Sequence, residues 1–303
     1  MHIRYGYRID LLCNDPTPVI MMLDVHPERR PDLTQPDDPL VTGYLNGIEQ
    51  TDITSYQDKF GNICRRVVAP SGGITIEAEG IIHDSGFPDM VDTLAEALPP
   101  ERLPDETLMY LLGSRYCETD QLSQTAWDLF GSVQGGWNKV QAVCDHVHRH
   151  IRFDYQLARA TRTAAEAYYE RVGVCRDYAH LALTLCRCLN IPARYCTGYL
   201  GDIGVPINDA PGDFSGWFEV FLGGRWWTFD ARHNVPRIGR ILMARGRDAT
   251  DVPVLNTFGP HVLGRFEIIT EEVSGDRYPL TSQHRRDHWA LNTSLRGDQD
   301  VGT

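Results

Sequence analysis

One cysteine in this sequence stands where a helix is predicted to begin. Cys175 closely follows Gly173, which interrupts the preceding segment, and apolar residues then recur every three or four positions from Ala179 to Leu189, as on one helix face. A thiol at a helix N-terminus lies at the positive end of the helix dipole, where its pKa can fall and the nucleophilic thiolate can form. The sequence therefore predicts a reactive thiol at Cys175, with a buried structural cysteine as the alternative.

A second segment of the sequence provides a carboxylate that could act together with this thiol. Residues 217–222 and 225–230 read as two strands joined by Gly223-Gly224, a hairpin signal, and Asp230 ends the second strand. A cysteine nucleophile needs a base that accepts its proton and a group that orients the base. A helix that begins with cysteine, followed by a hairpin that ends in aspartate, is therefore suited to thiol chemistry.

These segments resemble the motifs of the transglutaminase-like superfamily. Residues 173–179 (GVCRDYA) resemble its nucleophile motif, and residues 214–221 (FSGWFEVF) and 223–230 (GGRWWTFD) resemble its second and third motifs. The resemblance covers roughly residues 105–260, and the β-rich first part of the chain resembles the N-terminal domain often fused to bacterial members.

The resemblance implies a fold, a chemistry and two site residues. The fold is α+β, with a papain-like, transglutaminase-like core in which helices pack on an antiparallel sheet, and with an N-terminal β-rich domain. The reactions of the family are amide or peptide hydrolysis and acyl transfer to amines through a cysteine thioester. By the motif match, Cys175 takes the place of the nucleophile and Asp230 that of the orienting carboxylate.

The match lacks the family's base. Where the family has a histidine just before the aromatic-rich strand, this chain has Ser215. Serine has no basic function near neutral pH, and general acid–base help contributes about 10²–10⁴-fold to rate. His233 is a candidate substitute base if the chain turns back after Asp230. Two functions remain open: a cysteine hydrolase or acyltransferase acting on an amide or peptide with weak or altered activity, and an inactive pseudoenzyme that binds or scaffolds.

The remaining histidine near the motif is a weaker candidate for the base, and a metal site is a weaker alternative to thiol chemistry. His180 lies five residues after Cys175, a spacing that turns it away on a helix, so we expect it to pack in the core. A zinc site made of Cys175, Asp230 and His233 would have acceptable ligand types but has no recognisable spacing. We therefore predict no metal and no cofactor.

The chain divides by composition into four parts. We predict an N-terminal β-sandwich-like domain over residues 1–97, a proline-rich linker over 98–104, a transglutaminase-like core with a C-terminal extension over 105–273, and a flexible tail over 274–303. Within the first part, the glycine-containing turn between residues 68 and 74 predicts a hairpin. The four arginines between residues 237 and 247 favour a surface arm on an acidic body, with a patch for an acidic ligand as the alternative.

The net charge and the cysteine content limit the possible partners and the cellular location of the protein. The 303 residues have a formal net charge of -12, which argues against binding to nucleic acid or an anionic membrane. No apolar run approaches the ~18 residues of a membrane span, and no apolar leader segment is recognised. With eight scattered cysteines, we expect a reducing cytoplasm. The expected partner is a peptide, protein or small amide substrate, and the oligomeric state stays open.

Overall fold

The computed structural model describes residues 1–34, 37–50, 52–206 and 212–273, so the predicted tail over 274–303 lies outside the described residues. Its strands are β1 (His2–Cys13), β2 (Thr17–Met21), β3 (Leu40–Gly43), β4 (Thr54–Gln57), β5 (Ile63–Ala69), β6 (Ile74–His83), β7 (Arg152–Phe153), β8 (Val172–Gly173), β9 (Ala193–Tyr199), β10 (Ser215–Leu222), β11 (Arg225–Phe229), β12 (Ile241–Gly246), β13 (Leu255–Thr257) and β14 (His261–Val273). Its α-helices are α1 (Asp105–Leu108), α2 (Thr119–Phe130), α3 (Gly136–His150), α4 (Ala164–Glu170) and α5 (Cys175–Cys188). Short 3-10 helices occupy Arg30–Asp32, Pro100–Arg102, Met109–Leu111 and Tyr155–Leu157.

The N-terminal part is a β-sandwich. One four-stranded sheet has the order β14-β1-β6-β3, and a second has the order β13-β2-β5-β4. Strand β1 contributes Ile3 and Ile9, both fully buried, to an apolar cluster that also contains Val19 and Val67 of the second sheet. Because side chains alternate between the two faces of a strand, one face of each sheet lines this shared core. The β-rich region expected for the first part of the chain is thus present.

The predicted hairpin between residues 63 and 79 is wrong. Strand β5 pairs with β2 and β4, whereas β6 pairs with β1 and β3, so the two runs lie in different sheets. Gly72 and Gly73 have φ of 95° and 94°, and a Cβ at Gly73 would collide with the carbonyl oxygen of Leu11. The two glycines therefore form a tight corner that carries the chain from one sheet to the other.

The core is a sheet covered by helices around α5. The antiparallel sheet has the order β11-β10-β9-β12, and α5 packs on β9 and β10. Helices α2, α3 and α4 in turn pack on α5, which is buried on nearly every side. A helix that is enclosed all round cannot shift without disturbing several elements, so its first residue has a fixed position. The structure confirms the α+β class and the helices packed on an antiparallel sheet.

Two helix boundaries differ from the sequence expectation. Pro104 and the acidic residues that follow it predict a helix through Tyr116, but this helix ends as α1 at Leu108 and continues only as the 3-10 helix Met109–Leu111. The apolar period of residues 138–151 predicts a helix capped by Asn138, but α3 begins two residues earlier, at Gly136. There the N–H of Trp137 donates a hydrogen bond to the carbonyl of Ala95 at 2.9 Å, and a Cβ at Gly136 would collide with the backbone of residues 95–97. The contact between Trp137 and Ala95 joins residues distant in sequence and has no local signal.

The end of the described chain returns to the sandwich. Strand β14 pairs with β1 along its length, from His2 opposite Val273 to Cys13 opposite His261. Strand β13 likewise pairs with β2. No helix in the described parts of the chain is long and apolar enough to cross a membrane.

The arginine-rich run is not a surface arm. Arg237, Arg240 and Arg245 are only 4%, 8% and 6% exposed. Arg245 forms an ion pair with Glu28 of the sandwich, and Arg240 forms one with Asp89. These arginines therefore join the sheet of the core to segments that are distant in sequence, which is why local charge patterning misplaced them.

Candidate active site

Cys175 is the first residue of α5, as predicted. The preceding residue, Val174, is extended with φ of −111° and ψ of 179°, and β7 and β8 pair just before it. The N–H of Val174 donates to Asp177 Oδ2 at 3.0 Å, and a Cβ at Gly173 would lie 2.7 Å from Asp177 Cβ. The tight approach at Gly173 and the Asp177 carboxylate together fix where the helix, and hence the thiol, begins.

Asp177 is a positioning residue that the sequence reasoning missed. It is 1% exposed, and its carboxylate accepts hydrogen bonds from Arg162 and Arg176, each at 3.1 Å. Arg162 also donates to Glu170 of α4 at 3.0 Å. A carboxylate at the third helical position was the available signal, since acidic residues favour the first turn.

Replacing Asp177 by asparagine is expected to destabilise the protein by about 1.5–3 kcal/mol, because two arginines lose their buried anionic partner and the new NH2 group cannot accept the hydrogen bonds that one carboxylate oxygen accepts. Urea unfolding measures the loss. The matched control is Asp32→Asn, whose carboxylate pairs with Arg29 at a side chain 41% exposed, and which should change stability by less than about 1 kcal/mol. Equal small losses in both variants would contradict the positioning role.

The Cys175 thiol is buried and protonated at rest. It is 7% exposed, and its Sγ lies 3.9 Å from the carbonyl oxygen of Phe214. Burial raises the pKa of the thiol to about 11, and a nearby Asp213 adds to this, while Arg232 and the backbone N–H groups of Gly216 and Arg176 oppose it. The lowered pKa expected for a helix N-terminus is therefore wrong, because loss of hydration outweighs the favourable charges.

Ser215 cannot replace the missing histidine in this arrangement. It is the first residue of β10, opposite Gly198 of β9, and its carbonyl accepts a hydrogen bond from Thr197 Oγ1 at 3.1 Å. Its hydroxyl is sealed from solvent and has no hydrogen-bond partner in the described part of the chain. Ser215 therefore forms no hydrogen bond with Asp230 through its hydroxyl.

Asp230 is charged and saturated with hydrogen bonds. Its Oδ1 accepts from the backbone N–H groups of Arg232 and His233, both at 3.0 Å. Its Oδ2 accepts from Arg240 at 2.9 Å and lies 2.8 Å from His233 Nδ1. Although burial acts in the opposite direction, the charge of Arg240 and the hydrogen bonds from His233 hold the pKa of Asp230 well below its usual range.

The chain does turn back after Asp230, and this turn places His233 against the carboxylate. Asn234 adopts φ of 54° and donates its N–H to the Asp230 carbonyl at 2.8 Å, which closes the turn. His233 is thereby paired with Asp230, but among the described contacts it forms no hydrogen bond with Cys175. The structure brings two of the predicted site residues together and leaves the thiol with other neighbours.

His180 is a core residue, as expected. Its Nε2 accepts the N–H of Ala249 at 3.1 Å, and its ring stacks on Tyr116 with centroids 5.1 Å apart. Burial lowers the pKa of His180 to about 3, so the ring is neutral. For the zinc alternative, the described residues contain no group of three or more His, Cys, Asp or Glu side chains placed to hold a metal ion.

A second charged residue, Asp213, acts on the pKa of the thiol and was also missed. Asp213 Oδ2 lies 3.4 Å from the hydroxyl of Tyr155, which donates to it. Desolvation raises the pKa of Asp213, against the lowering effects of the Phe214 N–H, Tyr155 and Arg232. The guanidinium of Arg232 lies over the ring of Phe153 at 4.0 Å. The available signal was an aspartate two residues before the position of the missing base.

Comparison with known proteins finds similarity over the segment that contains Cys175, Ser215 and Asp230. Residues 124–231 match the transglutaminase-like superfamily. Over 97 residues the chain is 37% identical to an uncharacterised protein of Mycobacterium leprae (strain TN); the match covers 30% of this chain and 33% of that protein, so it spans about a third of that relative. A Cytophaga hutchinsonii protein provisionally assigned as a cysteine protease has a crystal structure similar at a TM-score of 0.77, with 26% identity over 93% of both chains. The periplasmic domain of TgpA from Pseudomonas aeruginosa gives a TM-score of 0.36 at 13% identity, covering 76% of this chain and 90% of that one.

Proposed function

Because residues 124–231 of this chain belong to the transglutaminase-like superfamily, we propose that the protein is a cysteine hydrolase or acyltransferase that acts on an amide or peptide through a thioester on Cys175. The observation that carries the proposal is the environment of Cys175 at the start of α5. Cys175 begins this enclosed helix, with its Sγ 3.9 Å from the carbonyl oxygen of Phe214. Burial raises the pKa of the thiol overall, while the charge of Arg232 and the N–H groups of Gly216 and Arg176 act in the opposite direction and favour the thiolate. The similarity to the Cytophaga hutchinsonii protein, provisionally assigned as a cysteine protease, supports the same chemistry.

The raised thiol pKa determines how the attack proceeds. With a pKa of about 11, the Cys175 thiol is protonated near neutral pH, so its proton must leave as the sulfur attacks the carbonyl carbon. The tetrahedral intermediate then expels an amine, which needs a proton, and leaves the thioester. Water attacks the thioester in a hydrolase, and an amine attacks it in an acyltransferase.

Alkylation of the free protein by iodoacetamide should follow the raised thiol pKa. Because only the thiolate reacts, the rate at Cys175 is expected to rise about tenfold per pH unit from about pH 7 to about pH 9.5. Peptide mapping after timed labelling measures it, and Cys188, a second thiol whose pKa is raised to about 11 by burial, provides the comparison. A rate that is already constant above about pH 6.5 would mean an ion-paired thiolate and would contradict this account.

The alternative function is a catalytically inactive binding or scaffold protein. Two observations favour it: the sealed Ser215 hydroxyl, and the saturation of Asp230 by Arg240 and His233. Ser215→His separates the two functions. If the parent releases p-nitrophenolate from p-nitrophenyl acetate in a burst that depends on Cys175, the enzyme proposal stands; if only Ser215→His does so, the inactive alternative replaces it.

We also propose a reducing cytoplasm as the location. All eight cysteines, from Cys13 to Cys196, are buried free thiols. Oxidising compartments favour disulfides in proteins that carry many cysteines. The proposed substrates are peptides, proteins or small amides, since these are the acyl donors on which the thioester chemistry acts.

A further inference from the structure

We propose that a cavity between the sandwich and the sheet of the core binds a tetrahedral oxyanion, either inorganic phosphate or the phosphate group of a larger molecule. The guanidinium groups of Arg237, Arg240 and Arg245 hold the anion. The inference goes beyond the thioester chemistry and does not depend on it, since Cys175 is not among the residues that line this cavity.

The first argument is the position and the size of the cavity. Its volume is about 270 Å³, which leaves room for a phosphate ion together with water molecules. Arg29 contributes to its lining from the sandwich, Trp217 from β10 and Arg245 from β12, and residues 87–90 of the connecting segment add to it. The arginine-rich run that follows β11 therefore meets the sandwich around one enclosed space.

The second argument is the hydrogen-bonding capacity that these arginines leave unused. Arg237, Arg240 and Arg245 are each more than nine-tenths buried. Each has one buried nitrogen without a hydrogen-bond partner in the described part of the chain, namely Arg237 Nε, Arg240 Nη1 and Arg245 Nε. Because native proteins pair nearly all of their buried polar groups, three unpaired donors around one cavity indicate a ligand that supplies acceptors.

The third argument is that the carboxylates of the cavity are already engaged. Each of the four that line it is paired with an arginine: Glu28 with Arg245, Asp84 with Arg29, Asp89 with Arg240 and Glu219 with Arg194. Among the described residues of the lining, the buried polar side-chain atoms that lack a partner are all arginine nitrogens. The unused capacity is therefore for an acceptor, which excludes a cation as the ligand.

The fourth argument is the charge of Arg237. Its guanidinium lies 3.6 Å from Asp202 and donates to the carbonyl of Gly201 at 2.8 Å. Burial lowers the pKa of Arg237, and the charge of Arg240 lowers it further. An anion between the two cations would oppose both effects.

The arrangement of the donors favours a tetrahedral anion over a carboxylate. A planar carboxylate is matched best by two parallel N–H groups of a single arginine. The unpaired donors here belong to three separate guanidinium groups. An anion with four oxygens can accept from all three groups at once.

Calorimetric titration of the intact chain with inorganic phosphate, at constant ionic strength, tests the site. We expect one phosphate per chain, and we expect Arg237→Gln to weaken binding at least about tenfold because a charged donor is lost. The matched control is Arg247→Gln, whose side chain is 37% exposed and lies outside the cavity lining, and which should leave the affinity unchanged. Acetate should bind at least about tenfold more weakly than phosphate.

A charge series at Met90 tests the same site without a buried substitution. Met90 lines the cavity and is 59% exposed, so its replacement leaves the core undisturbed. Met90→Glu should weaken phosphate binding about threefold to tenfold and Met90→Lys should strengthen it by a similar factor, whereas Met90→Leu should not change it.

Three results would overturn the inference. They are no phosphate binding up to about 10 mM, binding that neither Arg237→Gln nor the charge at Met90 alters, and acetate binding as tight as that of phosphate. If Arg237→Gln does not fold, the Met90 series decides. The two proposals fail separately, because a parent that is never acylated at Cys175 would still bind phosphate in this cavity.

Discussion

Replacing Arg240 by leucine is expected to destabilise the protein by about 3–5 kcal/mol, because it leaves a buried carboxylate without its cationic partner. Arg240 is 8% exposed and donates to Asp230 and to Asp89, in each case at 2.9 Å. Asp230 itself is 7% exposed and retains only His233 and two backbone N–H groups after the change. Guanidine unfolding at neutral pH measures the loss.

A matched arginine provides the control for this loss. Arg247, seven residues further on, has a side chain 37% exposed and pairs with Asp251, so Arg247→Leu should cost less than about 1 kcal/mol. The dependence on pH is a second check. The folded-state pKa of Asp230 is depressed, so the stability that Arg240 provides is present above the unfolded aspartate pKa of about 3.9 and is lost as pH falls below it. Equal losses from both arginines, or a loss from Arg240→Leu that grows in acid, would contradict the arrangement.

Replacing Cys175 by alanine is expected to lower acylation by p-nitrophenyl acetate at least about 10⁴-fold, because the atom that forms the thioester is gone. The burst of p-nitrophenolate, measured against protein concentration, should disappear. A merely structural thiol at the start of α5 would leave a slow release unchanged. The effect is thus larger than that of any change to the groups that only assist the attack.

Cys188→Ala is the matched control for that experiment. Cys188 ends the same helix, is 8% exposed, and also has its pKa raised to about 11 by burial. Its replacement should leave the burst intact. Loss of the burst in both variants would assign the effect to damage of α5, and retention in both would remove Cys175 from the chemistry.

The elements near the thiol were predictable because their signals are local. Helix α5 has a strong apolar period after Cys175, and the hairpin of β10 and β11 has Gly223 and Gly224 at φ of 59° and 87°, as its turn requires. The capping box of Thr163 and Glu166 was likewise readable from four adjacent residues. Local backbone chemistry determines such features, and distant contacts only reinforce them.

The predictions that were wrong share a different physical cause: they depend on contacts between distant parts of the chain. The turn at Gly72 and Gly73 has hairpin chemistry, but packing of two sheets decides which strands pair, and no local residue encodes that choice. The buried positions of Arg240 and Arg245 depend on Asp89 and Glu28, which lie more than a hundred residues away in the chain. The high pKa of Cys175 comes from the enclosure of the thiol by β10, which the helix pattern does not reveal.

The site itself was predicted only in part. Cys175 was named for its place at the start of a helix, which the structure shows, although the lowered thiol pKa expected there is wrong. The pairing of His233 with Asp230 required only the turn that the chain makes. Asp213 and Asp177 were overlooked because the motif directs the search to a histidine.

The most direct test of the central claim is a mass measurement of the acylated protein. After brief reaction with p-nitrophenyl acetate and acid quenching, we expect one acetyl group on the peptide that contains Cys175, and we expect its disappearance on further incubation in water. Lability to hydroxylamine would identify the bond as a thioester. An acetyl group found only on other residues, or none in the parent under conditions where Ser215→His is acetylated, would contradict the claim that Cys175 is a working nucleophile.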